Sequence, residues 1–297
     1  MGEWIVSIAG TEQGRHLAMI LALVAAFAHA ALGVLQKGRH DPWLSRAAID
    51  TGAALVSVPL VLFVVPPPGW DLAVLLPGVM LVHLAYKWVL AMAYSRGAFT
   101  QVYPVMRGTG PLATVLFAGI VFGEFFTVGQ WLGVGMLSGG IFGLAIYNLT
   151  RVDVDPAVLR AALGLAVLTG LMVAVYTVID AYAIRLARDP FTFIAWFFFL
   201  EAFLFPPLMW RRFRASGVGF WPLALRGLVG SVIVYVSFAA VFLATRLDKV
   251  GEAAALRETS VIFGAILGWL FLKERIGWIR SLLLVVIAAG AVMVEFG

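Results

Sequence analysis

Apolar runs long enough to cross a bilayer alternate with short polar turns along the whole chain, and the pattern predicts ten transmembrane helices. The runs fall at roughly 17–36, 44–65, 72–94, 98–122, 128–149, 158–182, 190–210, 220–244, 250–272 and 277–296. Each is close to the ~20 residues that a helix needs to span the hydrocarbon core. The clearest breaks are KGRHDP after the first run, VPPPGWD after the second, TRVDVD after the fifth and RRFRASG after the seventh. No segment reads as an extramembrane domain, so the chemistry is expected inside the bilayer or at its edges. Composition agrees: 62% of the 297 residues are apolar and 12% charged. Soluble domains run near half apolar and a quarter charged, and at this length they still need a polar skin. The fold class is an all-α membrane protein. The first run is longer than the apolar region of a cleavable signal and is followed by further spans, so it is expected to stay in the protein.

The chain also repeats itself. A shift of 150 residues pairs Arg96 with Arg246, Arg107 with Arg257, Thr109 with Thr259, Glu124 with Glu274, Leu132 with Leu282 and Gly140 with Gly290. Chance readily matches Leu with Leu, but rarely two arginines and a glutamate in apolar surroundings at one offset. The chain therefore divides into a first five-helix repeat over 1–150 and a second over 151–297. Five is odd, so the two repeats enter the membrane with opposite orientation. Such inverted repeats in secondary transporters carry the binding site at the repeat interface near the midplane.

Two halves of five spans, each with a Glu-bearing turn before its last span (FGEFF, LKERI), resemble the EamA-type members of the drug/metabolite transporter superfamily. The likeness covers nearly the whole chain and is densest over 94–140 and 244–290. The segment AYSRGAFTQVYPVMRGTGP is similar to a branch whose genes are sometimes linked to phosphonate use. The resemblance implies a permease of the bacterial cytoplasmic membrane, with a central cavity lined by spans 1, 3, 4, 6, 8 and 9 and with both termini in the cytoplasm. Charge points the other way. Loops after odd-numbered spans hold ten Lys and Arg, against five in the N-terminal tail and the loops after even-numbered spans. The positive-inside rule then puts both termini outside. Orientation stays open.

A charge at the bilayer centre costs ~2.5–3.5 kcal/mol on insertion scales and needs a partner, a wet cavity or a task. Arg107 and Arg257 stand out. They are repeat mates, each about ten residues into its span and so near mid-depth. A pseudo-two-fold axis would bring both guanidiniums to one central space, and their planar forks suit carboxylate, phosphate or phosphonate. The alternative is neutralisation by a buried acid, with Glu258, Glu252, Asp180 and Glu201 as candidates. In VYPVMRGTGP, two prolines and two glycines predict an interrupted helix around Arg107, with Tyr103 on the same face. EAAALRETSV in the second half carries no such breaker, so the expected site is asymmetric. Glu258 is a candidate both for substrate binding and for carrying a coupling proton.

His29, His83 and Lys87 lie in spans that the resemblance puts on the cavity wall. His83 and Lys87 share a helix face and would enrich the cavity in positive charge. Tyr176 and Tyr235 are candidates to offer hydroxyls to a ligand. Asp180 and His29 are further coupling candidates. Asp50 and Glu201 lie in spans expected at the periphery, Glu201 as an ion-pair partner. Glycines four apart at Gly129, Gly133, Gly135, Gly139 and Gly140 signal close helix packing within the fold or between subunits.

The function expected is secondary-active transport of a small anionic or zwitterionic metabolite by alternating access, with Arg107 and Arg257 holding the substrate. Energy would come from a proton or a counter-substrate. The rivals are an exporter of aromatic amino acids or amphipathic drugs, and a flippase of a lipid-linked phosphate. An enzyme is not expected: there is no HExxH or GxSxG, and the four histidines are scattered singly. The absence of cysteine removes disulfides and thiolate sites. No cofactor, metal or nucleic-acid partner is expected; the partners are the lipid bilayer and a small-molecule substrate, with the protein a monomer or homodimer.

Overall fold

The computed structural model describes residues 2–36, 41–96, 99–150, 156–272 and 277–297. After a short N-terminal helix, α1 (Gly2–Ile8), the first half contributes α2 (Glu12–Gln36), α3 (Pro42–Phe63), α4 (Trp70–Arg96), α5 (Phe99–Phe122) and α6 (Val128–Leu149). The second half contributes α7 (Pro156–Leu186), α8 (Pro190–Glu201), α9 (Phe205–Ser216), α10 (Phe220–Leu247), α11 (Val250–Arg257), α12 (Ser260–Leu272) and α13 (Trp278–Phe296). The described residues hold ten helical stretches long and apolar enough to cross a membrane, with α8–α9 and α11–α12 each forming one stretch. Among the described residues every regular element is helical.

The helix starts follow local chemistry. Asp41 accepts from the backbone N–H groups of Trp43 and Leu44 with Pro42 as the first residue of α3, and Asp189 caps α8 ahead of Pro190 in the same way. Thr127 and Gln130 exchange reciprocal bonds at the start of α6, a capping box.

Packing follows the inverted repeat. The α2–α10 contact of the first and eighth spans is matched by α7–α4, of the sixth and third, and α11–α12 lie against α2 as α5 lies against α7. The fifth and tenth spans, α6 and α13, pack on each other. There the glycine stripe is used within the chain. A Cβ on Gly133 would come 2.8 Å from the Gly290 carbonyl, and one on Gly290 would come 2.6 Å from the Leu137 backbone nitrogen. Only residues without side chains allow that approach.

One expectation is overturned. The Pro- and Gly-rich α5 is continuous through Pro104, Gly108, Gly110 and Pro111, whereas the helix breaks in the other half, at Glu258–Thr259. Proline already holds a helical φ and removes one ladder bond, a loss that packed neighbours tolerate in a membrane. The nearby glycine serves contact: a Cβ on Gly108 would sit 3.1 Å from the Phe142 ring. The break between α11 and α12 has no breaker residue. It is a tightened turn, in which Glu258 and Thr259 donate their backbone N–H groups to Ala255 and Leu256 three residues back. A second break follows Glu201, where Pro206 and Pro207 open α9. Glu274, the repeat mate of Glu124, lies outside the described residues, as do Lys37, Arg39, Arg151, Lys273 and Arg275 of the orientation count.

Candidate functional site

The two repeat-mate arginines meet. Arg107 is the ninth residue of α5 and Arg257 the eighth of its span, so each sits ~10–12 Å inside the helix end nearest it. The antiparallel approach of α5 and α11 brings both side chains to Glu258, at the break that follows α11. Arg107 Nη1 donates to Glu258 Oε1 at 2.8 Å, and Arg257 Nη2 reaches the same oxygen at 3.5 Å. All three residues are buried, at 3%, 4% and 1% exposure. Two cations therefore share one carboxylate oxygen, and the trio carries a net charge of +1. Buried polar atoms remain without a hydrogen-bond partner on every member: Nε and Nη2 of Arg107, Nε of Arg257 and Oε2 of Glu258. Such groups normally find partners, and three unfilled donors beside a surplus positive charge suit an anion.

The trio has a defined surround. The Arg107 guanidinium lies over the Tyr103 ring, 5.3 Å from its centre, and the Tyr103 hydroxyl is 3.5 Å from Ser260 Oγ at the start of α12. Ser260 carried no signal in the sequence beyond its place beside the arginine motif. His29 on α2 is within electrostatic reach of Arg107, Arg257 and Arg46, and its Nδ1 is 3.5 Å from Ser237 Oγ. Tyr176 feels both site arginines while its ring lies 4.6 Å from that of His83. Tyr235 sits apart, stacked on Phe198 with centroids 4.2 Å apart and hydrogen-bonded to Ser57.

His83 and Lys87 belong to a second buried cluster. Lys87 Nζ lies 2.7 Å from Asp50 Oδ2 and 2.6 Å from Glu201 Oε1, bridging the two acids. Arg46 Nε lies 3.0 Å from Asp50, and its Nη2 is 3.8 Å from Glu201. His83 Nε2 contacts Asp180 at 2.9 Å, and its Nδ1 is 3.8 Å from Glu201. Asp50 and Glu201 are thus fully interior, at 0% and 2% exposure, and not peripheral. The first half supplies Arg46, Asp50, His83 and Lys87, and the second supplies Asp180 and Glu201, so the cluster spans the seam between the repeats.

The four acids weighed as arginine partners separate cleanly. Glu258 takes the pair, Asp180 takes His83 and Glu201 takes Lys87. Glu252 instead accepts from Gln130 Nε2 at 2.6 Å and from Lys249 at 2.7 Å. A role missed in the sequence belongs to Glu124, which followed only as a repeat marker. Its carboxylate accepts from the backbone N–H groups of Val250 at 2.7 Å and Gly251 at 3.0 Å, capping α11 from the opposite half. An anion at a helix N-terminus is stabilising, and Glu124 anchors the helix that presents Arg257. The abundant aromatics form ring-to-ring core: Phe193 packs on Phe197, Phe197 on Phe242 and Phe242 on Phe238, with centroids 5.8, 5.0 and 5.8 Å apart.

A solved structure described as "Crystal structure of protein" superposes with a TM-score of 0.78, covering 94% of this chain and 98% of its own, at 18% identity. That likeness concerns the fold. No curated protein is similar enough to be matched by sequence. The model of the EamA-like transporter family matches residues 16–146 and again 160–296, once in each half. The chain is therefore a multi-pass membrane protein and belongs to the EamA-like transporter family, within the drug/metabolite transporter superfamily.

Proposed function

We propose that this transporter is secondary-active and moves a small anionic or zwitterionic metabolite by alternating access, with Arg107 and Arg257 as the anion-binding pair. The observation that carries the reading is the sharing of one Glu258 oxygen by two buried arginines from opposite halves, with donors left unfilled. An incoming carboxylate or phosphonate would fill those donors and neutralise the surplus charge; a zwitterion would add an ammonium for Glu258 Oε2. Since each half contributes one arginine, a ligand held by both ties the halves together at the midplane, as a rocking mechanism requires. Glu258, Tyr103 and His29 are the side chains that would adjust when the anion binds, and Tyr176 links this site to the second cluster.

The test is ligand-induced thermal stabilisation and uptake in proteoliposomes, using acetate, monomethyl phosphate, methylphosphonate and zwitterionic amino acids, with tryptophan as the aromatic competitor. Anions or zwitterions are expected to stabilise the protein and be transported. Arg107→Gln or Arg257→Gln should weaken that response tenfold or more, since a charged hydrogen bond is worth ~1.5–3 kcal/mol. Stabilisation by tryptophan unchanged in both variants would favour the aromatic exporter.

A flippase of a lipid-linked phosphate is the second reading. It is favoured by a lateral groove of about 830 Å³, lined by apolar residues of α3, α9 and α10 that include Leu55, Trp210 and Leu228. Its walls are not the helices that carry the arginines, so the water-soluble anion is preferred.

A further inference from the structure

The charges of the two buried clusters balance each other. Arg107, Arg257 and Glu258 sum to +1. Arg46, Lys87, Asp50, Glu201 and Asp180 sum to −1 when His83 is neutral. The two are also in contact electrically: Asp180, bonded to His83, lies within reach of Arg257. A monoanion seated on the arginines would cancel the first charge and leave the second unbalanced in an apolar interior, where net charge is costly.

We infer that His83 is the site where a proton binds together with the anion, making the transporter a proton–anion symporter. This rests on the anion reading above. The geometry singles out His83 because it has a carboxylate on each ring nitrogen: Asp180 at 2.9 Å from Nε2 and Glu201 at 3.8 Å from Nδ1. A neutral imidazole can donate from only one nitrogen, whereas an imidazolium donates from both. Nδ1 has no hydrogen-bond partner, and the residue is 1% exposed. The other groups packed around it hold fixed roles. Lys87, one turn along α4, is bound to both Asp50 and Glu201, with Arg46 closing the far side. Tyr176 of α7 and Tyr86 of α4 present rings, as do Phe197 of α8 and Phe238 of α10. With a proton on His83 the second cluster holds three cations and three anions.

The cluster is also built to release that proton. Asp180 and Glu201 belong to one half and His83 to the other. Movement of the halves apart withdraws both carboxylates from the ring, and the proton passes from Nδ1 or Nε2 to the water that enters. Substrate and proton are thus held together in the closed state and exchanged with water when the halves part, the linkage running through charge between Arg257 and Asp180.

The first experiment needs no ligand. Ring-nitrogen NMR of ¹⁵N-histidine-labelled protein in nanodiscs, with His83 assigned by its disappearance in His83→Gln, gives its titration midpoint. Arg257→Gln removes one positive charge, as a bound anion would, and Glu258→Gln adds one. The expected order is Arg257→Gln above the native protein above Glu258→Gln, each step about one pH unit, tenfold in proton affinity. Equal midpoints in all three would overturn the inference, and either variant compared with the native protein is enough to decide.

The second experiment adds methylphosphonate to lightly buffered protein containing a pH dye. Proton uptake is expected in the native protein and not in His83→Gln. If methylphosphonate stabilises the protein with no proton uptake, symport fails while the anion site stands. If no tested anion stabilises it, the anion reading fails and symport with it, while the midpoint order still reports the charge linkage.

Discussion

The two ionic clusters use the same side-chain chemistry for different ends. Around Lys87, cations and anions alternate: Asp50 and Glu201 flank the ammonium, Arg46 braces both acids, and the carboxylates of Asp180 and Glu201 hold His83. Around Glu258, two guanidiniums compete for one oxygen and leave donors over. Both clusters leave buried polar atoms without hydrogen-bond partners, but the first has an acid for each of its cations, whereas the second has a surplus cation and is one anion short. A buried network in which acids match cations ties helices together, whereas one with a surplus cation is a receptor for an anion. In both clusters the central glutamate stands where a membrane helix is interrupted, Glu201 at the end of α8 and Glu258 just after α11. A carboxylate at a helix C-terminus faces the negative end of the macrodipole, so each needs cations brought from elsewhere, and each receives them from the opposite half as well as, for Glu258, from its own.

The comparison predicts unequal responses to substitution. Lys87→Met should be the most damaging single change, because it leaves Asp50 and Glu201 only Arg46 as a cationic partner in the interior. A loss of ~3–5 kcal/mol is expected in denaturation of the purified protein. Adding Glu201→Gln to Lys87→Met should restore most of that loss, since removing both members of a buried pair is far cheaper than removing one. Failure of the double variant to recover would mean that Lys87 acts through more than charge.

Glu258→Gln should cost ~3 kcal/mol, the low end for a broken buried pair, because two guanidiniums lose their counter-charge while the amide oxygen still accepts from Arg107. It should strengthen binding of methylphosphonate while slowing transport, seen as a larger thermal shift with a lower uptake rate. Tightened binding with faster uptake would break the receptor reading. Tyr103→Phe should be the mildest, below ~1 kcal/mol, because the ring stays beneath the Arg107 guanidinium and only hydroxyl contacts are lost. Its measurable effect should fall on anion binding rather than on folding, read as a thermal-shift titration.

Much of this was legible along the chain. Ten runs of spanning length, the 150-residue repeat and the pairing of Arg107 with Arg257 follow from hydropathy and spacing, because lipid forces each span to satisfy its own backbone and to expose its apolar face. The caps at Asp41, Thr127 and Asp189 are equally local. What misled was the reading of helix breakers: Pro104, Gly108, Gly110 and Pro111 sit in an unbroken helix, while the break at Glu258 has no local signature. The turn there carries Glu258 between two arginines, one from another helix, a contact that only packing supplies. Asp50 and Glu201 looked peripheral for the same reason, since burial in a bundle depends on which faces meet.

The sequence by itself determined that this is a ten-span, doubly repeated membrane protein with charges at depth, because spanning length and repeat spacing are properties of consecutive residues. The tertiary structure alone decided which acid met which base. Partners such as Arg107 and Glu258, 151 positions apart, are joined by helix packing, which no periodicity along the chain records.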